Sequence, residues 1–276
     1  MIHSIRHLSL VTADIDVAAE DYALLLGRKA DGAIEADGTR QVWFSTGNIR
    51  LALIAPTGAG ALADAARARL AARGEGLWEI AFAVDDLDAA KHLCARRALE
   101  PGEQCATPIS KGGARCELRT LRISRDATHG LDITIVEALR DYGPPAAIAS
   151  VSALDHIVIR TPNPNRAVEI YGGRFGLDLR LDRANPAWGA RQLFFRCGDL
   201  VFEVVHPLRE GVGDGPDLHG GLSWRTDDIA AARARLTGAG FNLSEVRQGR
   251  KPGSQVCTVR DRNHGVPTIL FGSSPR

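Results

Sequence analysis

This chain contains the same unit twice, and that duplication limits its folds more than any single motif does. With His7 set on His156, Leu10 falls on Ile159, Thr12 on Thr161, Tyr22 on Tyr171 and Gly27 on Gly176. Gly47-Asn48-Ile49-Arg50-Leu51 runs beside Gly198-Asp199-Leu200-Val201-Phe202, and the two runs end in matching prolines, Pro56 and Pro207. Asp85-Asp86-Leu87 falls on Asp227-Asp228-Ile229, and Arg125-Asp126 with His129-Gly130 falls on Arg260-Asp261 with His264-Gly265. At roughly 150 residues per domain, a chain of 276 residues suits two copies. The pair Pro144-Pro145 cannot continue a helix or strand interior. A linker over 141–152 is therefore expected, with domains at 1–140 and 153–276.

Each half divides again. Short apolar runs at 7–11, 79–84, 156–160 and 222–226 read as strands, each followed by an Asp- or Asn-containing turn suited to capping. Ala-rich helices are expected at 17–26, 88–97, 166–175 and 229–237, with two or three strands after each. The pattern is β-α-β-β-β four times, an α+β fold. Two such modules side by side curl into a cup-shaped half-barrel whose concave face is a natural pocket.

Composition removes several partner classes. Lys plus Arg number 34 and Asp plus Glu 33, leaving a formal charge of +1, with no basic footprint for nucleic acid or an acidic membrane. No apolar run approaches the roughly 20 residues that span a bilayer, and the opening segment lacks the apolar core of a secretory signal. Five widely spaced cysteines without a Cys-x-x-Cys pair suit reduced thiols better than a disulfide framework. These features lead to the expectation of a cytoplasmic protein with a small-molecule partner. Exposed sheet edges offer a route to a homodimer.

The phrases Leu154-Asp155-His156-Ile157, Ile80-Ala81-Phe82-Ala83-Val84-Asp85-Asp86 and Arg125-Asp126-Ala127-Thr128-His129-Gly130 resemble the vicinal oxygen chelate superfamily, which includes glyoxalases, methylmalonyl-CoA epimerases, extradiol dioxygenases and bleomycin-resistance proteins. The resemblance covers nearly the whole chain as two tandem glyoxalase-like domains. It implies a divalent metal, Zn, Ni, Mn or Fe(II), held by residues of the first and last strand of each module. Carried over by position, those places are His7, Ala52, Glu79 and Thr134 in the first half and His156, Glu203, Gly221 and Ile269 in the second. Four of these, His7, Glu79, His156 and Glu203, can bind a metal and four cannot, so the cofactor is expected to be either a divalent ion or absent.

Strand parity places His156, Val158 and Arg160 on one face and Ile157 and Ile159 on the other, and it puts Glu203 and Glu79 on the concave side. If neighbouring modules pair, as the Pro-Pro linker favours, each cup holds two ligands; if the second pairs with the third, Glu79, His156 and Glu203 share one. Glu79 and Glu203 are the candidate catalytic carboxylates, with Glu79 lifted towards neutral pKa by an apolar cup so that it abstracts a proton beside a carbonyl. Arg160 and Arg225 could clamp an anion, and His219 could replace the ligand missing at Gly221. His129 and His264, in matching turns, read as structural. The leading expectation is a metal-dependent lyase or isomerase that stabilises an enolate. The alternatives are a metal-free sequestering protein and a dioxygenase with a degenerate first half.

Overall fold

A computed structural model describes residues 2–111, 114–137, 147 and 149–273. The proline pair and most of the expected linker at 141–152 lie outside the described residues. The first half runs β1 (Ser4–Val11), α1 (Ile15–Leu26), β2 (Gly32–Ala36), β3 (Thr39–Ser45), β4 (Arg50–Pro56), α2 (Ala61–Arg73), β5 (Gly76–Val84), α3 (Leu87–Arg96), β6 (Pro101–Lys111), β7 (Ala114–Ile123) and β8 (Asp132–Glu137). The second half runs β9 (Val151–Arg160), α4 (Pro164–Ala167), β10 (Asp178–Asn185), β11 (Ala190–Cys197), β12 (Leu200–Pro207), β13 (Leu218–Thr226), α5 (Ile229–Gly238), β14 (Arg247–Gln248), β15 (Ser254–Val259) and β16 (Thr268–Ser273).

The fold is mixed α+β, with two eight-stranded sheets in the orders β2-β3-β4-β1-β5-β8-β7-β6 and β10-β11-β12-β9-β13-β16-β15-β14. The strand orders are the same, so the duplication seen in the sequence is a duplication of topology. In each sheet, the module's first strand runs parallel to its last, as β5 does beside β8 and β13 beside β16. Packing groups residues 1–7, 79–141 and 158–219 into one compact unit and 8–78, 142–157 and 220–276 into another.

The same capping device starts each module's helix. Asp14 accepts from the backbone N–H of Asp16 and Val17, Asp86 from Ala89, Asn163 from Arg166 and Asp228 from Ala231, satisfying donors that a helix start leaves unpaired. Two helices differ from expectation. α2 was not foreseen in the Ala- and Arg-rich stretch after β4; its first N–H groups are bound by the Asp37 carboxylate, from a separate hairpin, at 3.0 and 2.7 Å. The helix expected at 166–175 begins at Pro164 and widens from Val168 to Arg174 into a π-type turn. Gly172-Gly173, poor helix formers, sit where the wider turn forms.

The first strands share a feature that sets up the site. Buried residues recur at Ile5, Leu8 and Leu10, at Leu77, Ile80 and Phe82, and at Leu154, Ile157 and Ile159. The spacing is three and then two, so the alternation of a regular strand slips once, as at a bulge. Two adjacent residues then escape the packed face in each strand: Arg6-His7, Trp78-Glu79 and Asp155-His156, all half-buried. No helix among the described residues is long and apolar enough to cross a membrane. Cys94, Cys105, Cys197 and Cys257 are free thiols.

Candidate functional site

In the first unit the strands converge on Glu79. It projects from β5 on the face opposite α3, because Ile80 and Phe82 are fully buried on the other side. The Nε2 atom of His7, from β1, lies 3.7 Å from Oε2 of Glu79, and the hydroxyl of Thr134, from β8, donates to Oε1 at 2.5 Å. Arg122 stands directly opposite Thr134 in the antiparallel β7–β8 register, so the two side chains share a face.

Electrostatics there oppose the expectation of a carboxyl lifted towards neutrality. Burial alone would raise Glu79, but the nearby His7 imidazole, the Thr134 hydroxyl and the charge of Arg122 together hold it below the ordinary glutamate value. Hydrogen bonding to the charged form outweighs desolvation. Glu79 is therefore a carboxylate at neutral pH, kept ionised by its neighbours.

The donor set does not fit a resident metal. Of the four ligand places in the first sheet, Ala52 is fully buried and offers no donor, and the hydroxyl of Thr134 is spent on Glu79. In the second, Gly221 adopts φ 151°, and a Cβ there would lie 2.3 Å from the Pro267 carbonyl oxygen. That backbone leaves no room for a ligand side chain. Ile269 supplies none either. Among the described residues no group of three or more His, Cys, Asp or Glu side chains is arranged to hold a metal, whereas catalytic metal sites generally need three protein ligands.

The remaining expected residues have other partners. Nδ1 of His156 lies 3.0 Å from Asp155, whose other oxygen receives two contacts of 3.3 Å from Arg225. Burial would raise Asp155, but His156 and Arg225 hold it below its usual value. Arg225 thus serves a carboxylate of its own chain, and Arg160 pairs at 3.3 Å with Glu210 in a largely exposed contact; the expected anion clamp is occupied on both sides. Glu203 is buried and accepts a 2.7 Å hydrogen bond from the Gln192 amide. His219 stands half-buried in β13, where the aligned position of β5 holds the buried Leu77.

Two acid clusters escaped the sequence reading. In one unit His264 lies between Asp21 (Nε2 to Oδ2, 2.8 Å) and Glu75 (Nδ1 to Oε2, 3.2 Å), while Arg262 also grips Asp21 and Thr12 donates to Glu75. In the other unit Asp217, fully buried, accepts from Thr161, Tyr171 and Arg166. The signal was present in the repeat: Thr12, which donates to Glu75, matches Thr161, which donates to Asp217. The two acids lie outside the aligned phrases.

Residues 6–107 and 155–258 match the family model for the Glyoxalase/Bleomycin resistance protein/Dioxygenase superfamily, and the chain belongs to that superfamily. It is 28% identical over 100 residues, 34% of this chain and 75% of the relative, to the ethylmalonyl-CoA/methylmalonyl-CoA epimerase of Cereibacter sphaeroides. In fold it is similar to a mutant of 4-hydroxymandelate synthase from Streptomyces coelicolor, with a TM-score of 0.74 at 16% identity over 100% of this chain and 95% of that one. It is also similar to the Mn(II)-bound glyoxalase from Novosphingobium aromaticivorans, with a TM-score of 0.69 at 14% identity over 98% and 82%. At such identities the structural likenesses describe architecture and leave the reaction open.

Proposed function

We propose that this protein is an isomerase- or lyase-type enzyme that moves a proton on the carbon beside a carbonyl of a small substrate, using His7 and Glu79 as its acid–base couple. The observation that carries this reading is the convergence of His7, Glu79 and Thr134 from three strands on one sheet face. Thr134 fixes one oxygen of Glu79, and the other faces His7. A carboxylate beside an imidazole orients the ring, and a positioned histidine is the commonest proton carrier in general acid–base catalysis. His7 takes the α-proton and returns it, while the fixed carboxylate balances the charge the ring acquires. Epimerisation, the reaction in the name of the C. sphaeroides relative, begins with removal of such a proton and ends with a proton delivered to the opposite face of the planar intermediate. The metal-dependent version of the chemistry asks for donors that Ala52, Thr134, Gly221 and Ile269 do not supply.

A second reading, a metal-free protein that sequesters its ligand, is favoured by one observation, the backbone contact that closes the Gly221 place to any side chain. The two sheets are proposed as tandem domains, 1–140 and 153–276. Incubation in deuterated water with 2-oxoaldehyde–thiol adducts and acyl-CoA thioesters, followed by proton NMR, separates the readings. The enzyme exchanges the α-proton of at least one substrate, and His7→Gln or Glu79→Gln slows exchange about 100-fold or more. A sequestering protein binds and exchanges nothing.

A further inference from the structure

β4 is buried from Leu51 to Ala55, although successive residues of a strand face opposite ways. Helices on both faces account for this, because α1 and α2 each lie against β4. The second half gives the contrast. Among the described residues no helix joins β12 to β13, where only a short 3-10 turn, Leu208–Glu210, follows the strand. Val205, which aligns with Ile54, is half-buried there, whereas Ile54 is buried. α2 is therefore what covers the face of β4 that carries Ala52 and Ile54. In the β3–β4 register Gln41 stands opposite Ile54 and shares that face.

Little apolar burial holds α2 down. Among its residues only Ala63 and Ala66 are buried, and a helix of this length is marginal without tertiary packing. The hold is concentrated instead at the β2–β3 turn. The Asp37 carboxylate accepts from the N–H groups of Ala61 and Leu62. Its backbone carbonyl accepts from Ala63, and the Gly38 carbonyl accepts from Thr57 and Gly58. At the far end Arg69 reaches the carbonyls of Gly74 and Leu77. Glycines stand on both flanks, Gly58 and Gly60 before the helix and Gly74 and Gly76 after it, and small residues at element ends absorb the dihedral changes of a hinge.

We propose that α2 is a hinged cover latched by Asp37, and that lifting it opens the face of β4 beneath to an apolar ligand. Segments with few buried contacts open below the free energy of global unfolding, and a pocket present only in the open state is populated when its ligand selects that state. Ala52, Ile54 and Gln41 bear no charge, so the ligand matched to them is a neutral, largely apolar small molecule. The cover does not depend on the acid–base reading of His7 and Glu79.

The test is hydrogen exchange of the full chain, followed by mass spectrometry over a urea series below the unfolding midpoint. In the wild type the amides of α2 are expected to exchange about 100-fold or more faster than those of β4, relative to their intrinsic rates, and with little dependence on urea. Asp37 has a positive φ of 47°, which glycine adopts without strain, so Asp37→Gly deletes the carboxylate and keeps the turn. That variant should speed α2 exchange about 5-fold, the effect of a lost cap, with Asp37→Asn between it and the wild type and β8 unchanged in both. Nile red, a neutral apolar dye, should bind Asp37→Gly more tightly by about the same factor, because apparent affinity scales with the open fraction. Amides of α2 that exchange only with global unfolding, an α2 rate unchanged in Asp37→Gly, or Nile red bound equally by both proteins or by neither would overturn the proposal.

Discussion

At the scale of single residues, the behaviour of this protein follows from where its carboxylates find partners. Glu79 is held down by a histidine, a hydroxyl and an arginine charge. At Glu75, the Thr12 hydroxyl, the Ala13 N–H and His264 likewise outweigh burial and lower the carboxyl. A carboxylate with a depressed folded-state pKa contributes stability above its unfolded value, about 4.3, and loses it as pH falls through the folded value. Urea melts from pH 7 down to pH 3 should therefore show stability falling below roughly pH 4.3, and Glu79→Gln and Glu75→Gln should each flatten that fall. His264, read from sequence as a structural turn residue, is only 10% exposed in its side chain and sits between two carboxylates. Removing it takes one polar partner from both Asp21 and Glu75. His264→Ala should cost about 2 kcal/mol in chemical denaturation through its lost hydrogen bonds, while a solvated turn histidine would cost nearly nothing. None of these partners is visible locally in the sequence. Thr134 stood in the sequence only as a ligand place without a ligand, and Glu75 was an unremarkable polar residue, until folding brought them to Glu79 and His264.

At the scale of elements, strands and caps were legible and two helices were not. Asp14, Asp86, Asn163 and Asp228 announce helix starts because an Asx cap needs only the next three residues. Asp228→Ala should cost about 1 kcal/mol, measured by thermal melting. α2 is capped from a distance by Asp37, and among its residues only Ala63 and Ala66 are buried, so it lacks the apolar stripe that signals a helix. The π-type turn at Val168–Arg174 lies in a stretch with helical pattern; Tyr171 within it donates to Asp217 at 2.8 Å, a long-range contact that periodicity does not encode. The three-then-two spacing of buried residues in the first strands is in the sequence, yet strict alternation conceals it. That slip is what turns Arg6, Trp78 and Asp155 out beside His7, Glu79 and His156. Gly221 carries the clearest backbone constraint: Gly221→Ala should lose roughly 2 kcal/mol or more through overpacking against Pro267, where an open glycine such as Gly173 should tolerate alanine far better.

At the scale of the whole molecule, the duplicated sequence became two sheets of identical strand order, and family membership follows from matches in both halves. The fold was readable because a repeat is a global signal. The site was readable only in part. First-strand residues and Thr134 could be placed by alignment, but Arg122 enters through the β7–β8 register, and registers are set by packing. The two halves have also diverged at the ligand places, with His7 and Glu79 in one and His156 and Glu203 in the other, so the same architecture holds two chemically different faces.

The central claim is that His7 and Glu79 move a proton without a resident metal. The direct measurement is α-proton exchange in deuterated water, made before and after exhaustive dialysis against a chelator, with metal content determined by elemental mass spectrometry on the same samples. The account predicts exchange that survives dialysis at less than 0.1 metal per chain, on the order expected for an unbound ion, and that falls about 100-fold in His7→Gln. Exchange that disappears with the chelator and returns with zinc, nickel, manganese or ferrous iron, or that persists unchanged in His7→Gln, would contradict it.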